Sequence, residues 1–145
     1  MKGLEARIYG IEFELNYKSD FVTIDASFSE VIGNNLSEGI PLPYIPPSKT
    51  RLRFTFNEAS NFSPTLQIVN ASKQNRLGEF EKPTDGYTLV DLYGSYNLKM
   101  KNGSHKIIFQ IDNVFDEVHY NHLSKIKAIM PEMGRSVSIQ YRFLF

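Results

Sequence analysis

The chain has 145 residues, with 16 basic and 16 acidic side chains giving a net charge of +0, and it has no cysteine. That length bounds it to one domain of ordinary size; balanced charge leaves no basic footprint for nucleic acid, and missing thiols exclude disulfide frameworks and thiolate metal sites. Mean hydropathy is -0.30, and no run approaches the ~18 apolar residues of a spanning helix, but neither fact bears on a transmembrane barrel, where half of every strand faces a polar lumen.

The opening Met1-Lys-Gly-Leu-Glu-Ala-Arg7 lacks the apolar core of a secretory signal, which counts against a complete, self-exporting chain. Residues 6–17 then alternate, with Arg7, Tyr9, Ile11, Phe13 and Leu15 on one face and Ile8, Gly10, Glu12 and Glu14 on the other. Side chains alternate across a strand, so this is a strand with two different faces. A tight polar connection at residues 18–20 leads to a second strand over 21–32, with Val22, Ile24, Ala26 and Phe28 on its apolar side. Two long alternating runs joined by a short turn predict a hairpin.

Residues 33–47 are predicted to be a long loop outside any sheet, because their four prolines cannot donate to a ladder. The third strand, 48–57, sets Thr50, Leu52, Phe54 and Phe56 against Lys49, Arg51, Arg53 and Thr55. A turn at 61–64 precedes a fourth strand over 65–74, whose alternation is the least regular. A Pro/Gly-punctuated loop, 76–86, leads to the fifth strand, 87–98, with Val90, Leu92 and Tyr96 opposite Asp91, Tyr93 and Ser95. Asn102-Gly103 carries the strongest short hairpin signal. The sixth strand, 105–113, turns Ile107, Phe109 and Ile111 one way and Lys106, Gln110 and Asp112 the other. After a long segment, 114–133, the last strand sets Val137, Ile139, Tyr141, Phe143 and Phe145 against Ser136, Ser138, Gln140 and Arg142.

The expectation is an all-β, antiparallel up-and-down meander of about seven strands. Its connections alternate short and long, the asymmetry of outer-membrane barrels, whose short turns are periplasmic. A terminal aromatic at Phe145 suits a ring at the bilayer boundary better than a frayed soluble tail. Counting back from it, the loops at 33–47, 76–85 and 114–133 are expected outside the cell, and the turns at 61–64 and 102–103 in the periplasm.

Several motifs carry a resemblance. Gly86-Tyr-Thr-Leu-Val-Asp-Leu-Tyr93, Ile111-Asp-Asn-Val-Phe-Asp116 followed by Tyr120, and Gly134-Arg135 before a terminal Phe resemble the closing strands of TonB-dependent outer-membrane receptors. Ile45-Pro-Pro-Ser-Lys-Thr-Arg51 and Gly10-Ile-Glu-Phe-Glu14 are similar to that family's earlier strands. The resemblance implies a place in the outer membrane, in contact with its lipid, as the closing part of a large transmembrane barrel. Such barrels are ~22-stranded, so the remaining strands and the plug would be partners in a longer parent chain. The TonB complex would act through that absent N-terminal part, on a receptor importing a siderophore-iron or other iron chelate, haem, cobalamin or a similar scarce nutrient. The fragment alone would be inactive. A passive porin-like barrel segment and a soluble β-sheet binding module are the alternatives.

Arg51 and Arg53 share a face, where guanidinium groups could meet an anionic ligand or a network with Glu12, Glu14, Asp25 or Asp91. His119 and His122, near Asp116 and Glu117, are of metal-binding types, but so short a spacing is a common accident and a solvated loop is the expectation. These four residues are the candidates for substrate contact. No nucleophile–base pair or phosphate loop occurs, so no enzyme, no catalytic residue, no metal ligand and no cofactor is expected.

Overall fold

An alternating strand is locked in register wherever its two faces differ, because a slip of one residue turns every side chain to the wrong side. The computed structural model describes residues 5–57 and 61–145 and follows that rule throughout. Its strands are β1 (Ala6–Lys18), β2 (Val22–Asn35), β3 (Ile40–Pro41), β4 (Lys49–Phe56), β5 (Phe62–Ala71), β6 (Tyr87–Met100), β7 (Gly103–Asp112) and β8 (Ser136–Leu144). They form one antiparallel sheet in the order β1-β2-β4-β5-β6-β7-β8, with β3 attached to β2. No helix among the described residues is long and apolar enough to cross a membrane, which says nothing of strands.

Two neighbouring rows show how the faces are built. Tyr17, Ile24, Phe54, Leu66, Leu92, Ile111 and Val137 lie side by side across all seven long strands, and all are apolar or aromatic. One residue along, Lys18, Thr23, Thr55, Thr65, Tyr93, Gln110 and Ser138 form a wholly polar row on the other face. The apolar face has nothing packed against it: among the described residues Val69 and Ala71 are the only buried hydrophobic side chains, while Ile11, Phe13 and Ile139 are more than half exposed. A greasy sheet face this wide would aggregate in water and is stable against hydrocarbon. On that face the Phe109 ring covers Gly94 and stacks on Phe62 with centroids 6.0 Å apart. At the short-turn end His105, Phe143 and Phe145 cluster, with centroids 4.7 and 5.9 Å apart, as in an interfacial aromatic girdle.

Three expectations need correction. Residues 33–47 do contribute to the sheet. β2 runs on to Asn35, and Ile40 and Pro41 pair with Asn35 and Asn34 where β4 does not reach. Pro41 is tolerated because β3 pairs with β2 alone, so its other side needs no donor. The fourth strand starts at Phe62 rather than 65 and ends at Ala71 rather than 74. Pro64 fits inside it because pairing with β4 stops at Thr55 and Thr65, leaving Pro64 with a partner, Gly94, on one side only. The Asn-Gly turn is offset: Lys101 and Asn102 make the reversal, and Gly103 opens β7 at φ 141°, a conformation only glycine adopts easily.

Candidate functional site

Functional chemistry gathers in two places, the middle of the polar face and the end of the sheet where the long loops meet. On the polar face the register sets Glu14 against Ser27 and Ser27 against Arg51, then Asn16 against Asp25 and Asp25 against Arg53. Two open depressions of about 470 and 420 Å³ lie here and share Glu14, Ser27 and Arg51. Arg53 holds its guanidinium carbon 5.5 Å from the centroid of the Tyr93 ring, a cation–π contact. Among the described residues neither Arg51 nor Arg53 forms an ion pair, so the expected network with Glu12, Glu14, Asp25 or Asp91 is not made. Two of these carboxylates, Asp25 and Asp91, are used otherwise. Asn16 donates to Asp25, and Gln67 Nε2 (2.9 Å) and the Asn113 backbone N–H (2.9 Å) donate to Asp91. Both guanidinium groups are left to face the open side of the sheet, where an anion could accept from them.

The Asp112-Asn-Val-Phe-Asp116 stretch closes the last long loop. Asn113 and Asp116 sit at φ 51° and 57°, the left-handed region that short polar side chains tolerate best. The Asn113 amide then bridges the Glu117 backbone, donating to its O at 2.9 Å and accepting from its N–H at 2.8 Å. Asp116 accepts the Arg135 N–H at 2.8 Å, and Ser136 donates to Asp112 at 3.1 Å. Start and end of a loop more than twenty residues long are thus tied beside the first residue of β8.

His119 and His122 do not come together in one site. His119 is half-buried, its ring 4.6 Å from that of Tyr87 and its Nδ1 3.2 Å from the Glu117 carbonyl. His122 is 2% exposed, the largest fully buried side chain among the described residues. The expectation of a solvated loop therefore fails at His122, because tertiary packing encloses it. Its Nδ1 lies 3.0 Å from Thr84 Oγ1 and 3.2 Å from Lys127 Nζ. Its Nε2 is 3.2 Å from Glu81 Oε1 but out of line, and makes no hydrogen bond. Glu81 in turn accepts the backbone N–H groups of Tyr44 (2.9 Å) and Gly78 (3.0 Å). Gly78 is needed where it is, because any Cβ there would run into Pro43. No cluster of three or more His, Asp or Glu able to hold a metal ion occurs among the described residues.

Burial works against charge on Glu81, but the two backbone donors, with His122 and Lys127, outweigh it and hold the carboxyl below its ordinary 4.5. Burial also works against charge on His122; Lys127 adds to that, and Glu81 opposes it without reversing it, so the imidazole titrates below its ordinary 6.5. Glu81, Thr84 and Lys127 were invisible as partners in the sequence, which shows only polar residues in loops.

A seven-strand antiparallel wall with a bare apolar face, a charged inner face and long loops at one end defines a section of an outer-membrane β-barrel. The family described as TonB dependent receptor-like, beta-barrel matches residues 5–114. The chain belongs to the TonB-dependent receptor β-barrel family, whose place is the outer membrane. Among solved structures, Copper transporter OprC is similar, with a TM-score of 0.85 and 26% identity over 98% of this chain. The chain spans 24% of the OprC chain. No curated protein matches it in sequence.

Proposed function

We propose that the chain supplies the closing strands of a TonB-dependent transporter that imports a scarce metal nutrient across the outer membrane. The observation that carries this is the two-faced sheet, apolar across one whole row and polar across the next, which superimposes on 24% of the OprC chain. The plug, the other strands and the contact with TonB belong to the rest of the parent receptor. Its name makes OprC a copper transporter, which makes copper the first cargo to test here, ahead of an iron chelate. Arg51 and Arg53, without an ion pair among the described residues, suit contact with an anionic complex or with carboxylates of the plug.

Cells deleted for the gene should take up less radiolabelled copper, and collapsing the proton gradient should abolish the difference. Uptake of ferric chelates falling instead would reassign the cargo to iron. Uptake that continues without the gradient would favour a passive, porin-like barrel and overturn the proposal.

A further inference from the structure

The three long connections, residues 36–48, 72–86 and 113–135, meet as one cap. Thr84 of the second bonds His122 of the third, and Gln74 Nε2 of the second donates to the Ile45 carbonyl of the first at 2.9 Å. The first two loops are also joined turn to turn. Gly78 lies so close to Pro43 that no Cβ fits between them, and the Glu81 carboxylate accepts the N–H groups of both Tyr44 (2.9 Å) and Gly78 (3.0 Å). Tyr44 is the third residue of one turn, 42–45. Phe80 is the third residue of the other, 78–81, which the Glu81 N–H closes onto the Gly78 carbonyl at 3.3 Å.

Both third residues have left-handed backbone, Tyr44 at φ 59° and Phe80 at φ 63°. Glycine or asparagine is ordinary at such a turn position, and a bulky side chain is a costly outlier. The other non-glycine residues with positive φ among the described residues, Asn61, Asn113 and Asp116, are of the short polar kind that tolerates it. Burial does not offset the cost, because Phe80 is 95% exposed and Tyr44 58%. Neither ring stacks on another among the described residues, as Phe62 does on Phe109. The bareness of Phe80 is not that of a missing neighbour either. Its loop joins β5 to β6 in the middle of the sheet, with a long loop in place on each side.

Backbone strain persists where surrounding contacts over-determine it, and it gathers at ligand clamps. Here the Glu81 carboxylate and the Gly78–Pro43 contact hold both turns in place. We propose that Tyr44 and Phe80, carried on these two joined turns, are cargo-selecting rings that stack on a flat aromatic chelator holding the metal. The proposal rests on the transporter reading and names the chemical class of its cargo, a metal in an aromatic complex rather than a bare ion. A rigid ring offers a π face that a second flat ring covers by offset or edge-to-face contact. The exposed chain neighbours of Phe80 are Glu79 and Lys82, so it lacks the apolar surround that forms the core of a protein interface.

Equilibrium dialysis of the parent receptor in detergent micelles tests this with two anionic copper(II) complexes. One chelator is a sulfonated hydroxyquinoline, flat and aromatic; the other is nitrilotriacetate, which has no ring. The aromatic complex should bind about tenfold more tightly, from two stacking contacts of severalfold each. Phe80→Ala and Tyr44→Ala should each weaken it roughly twofold to tenfold and leave nitrilotriacetate binding unchanged. Phe80→Leu, apolar but without a π face, should fall like Phe80→Ala, and Phe80→Tyr should hold. Phe80→Asn, which suits the left-handed backbone, should lose binding while the 72–86 loop resists trypsin at least as well as in wild type. That pairing separates a lost contact from a lost fold. Equal affinity for the two complexes would overturn the proposal, as would full binding in either alanine variant or in Phe80→Leu, or faster nicking in Phe80→Asn. Binding is read without a proton gradient, so a failure here is distinct from a failure of gradient-driven uptake, which would sink the transporter reading instead.

Discussion

The spanning sheet and the loop cap are ordered by opposite means. In the sheet almost nothing is buried, and position is set by backbone ladders and by which solvent each face meets. In the cap and at its margin with the sheet, the buried polar residues are Asn35, Gln74, Thr84, Asn113 and His122; Gln74, Thr84 and His122 find side-chain partners distant in sequence, while the Asn35 and Asn113 side chains bond within four residues. A sheet of this kind tolerates side-chain change within a face and fails when a face is crossed. A cap of this kind tolerates apolar change at its surface, where Phe80 and Ile129 are bare, and fails when a single acceptor is removed.

The contrast is broken outright if the ends are reversed. In the parent receptor, a cysteine at Asn121 in the cap should label with an impermeant thiol reagent on intact cells. One at Asn102 should stay dark until the outer membrane is opened, and labelling in the reverse order would place the cap in the periplasm. Within the sheet, Ile139→Arg sets a charge on the lipid face and should cost about 2–4 kcal/mol in folding measured by denaturant titration in lipid, if the residue lies at the midplane. Gln140→Arg, one residue on, should cost far less; equal losses would show that the two faces are misassigned.

In the cap, Glu81→Ala strips the acceptor from the Tyr44 and Gly78 amides at a carboxylate only 6% exposed. It should cost about 2 kcal/mol of local loop stability, read as protease nicking of the 72–86 loop, with the sheet intact. Acid should do the same: because the folded Glu81 titrates below 4.5, its contribution is present above 4.5 and is lost as the pH falls through the lowered value. Nicking that is flat across that range would remove Glu81 from the account. Thr84→Val, losing one neutral bond to His122, should cost about 1 kcal/mol. The smallest effect belongs to Lys73→Ala, since its pair with Asp85 at 3.3 Å joins side chains 59% and 92% exposed. That change should stay within about 0.5 kcal/mol of zero by the same nicking assay.

Much of the sheet was legible in advance because a strand's pattern is local. Val137, Ile139, Tyr141 and Phe143 declare one face against Ser138, Gln140 and Arg142 from nine residues alone, and antiparallel pairing then carries that face from strand to strand. The alternation of short turns and long loops and the seven long strands were likewise readable, and so was the family, from motifs such as Ile111-Asp-Asn-Val-Phe-Asp116. The short strand Ile40–Pro41 was not, since a proline-rich run reads as a breaker until β4 is seen to stop short and leave room beside β2. Pro64 inside β5 escaped for the same reason. Arg51 and Arg53 were placed on the correct face, but that neither forms an ion pair among the described residues, and that Asp25 and Asp91 bond instead to Asn16, Gln67 and Asn113, only the folded sheet decides. His122 is the extreme case. Its contacts to Glu81 and Thr84 span about forty residues and obey no period, so only the folded loops decide that this imidazole is buried while His119, three residues earlier, lies half-exposed against Tyr87.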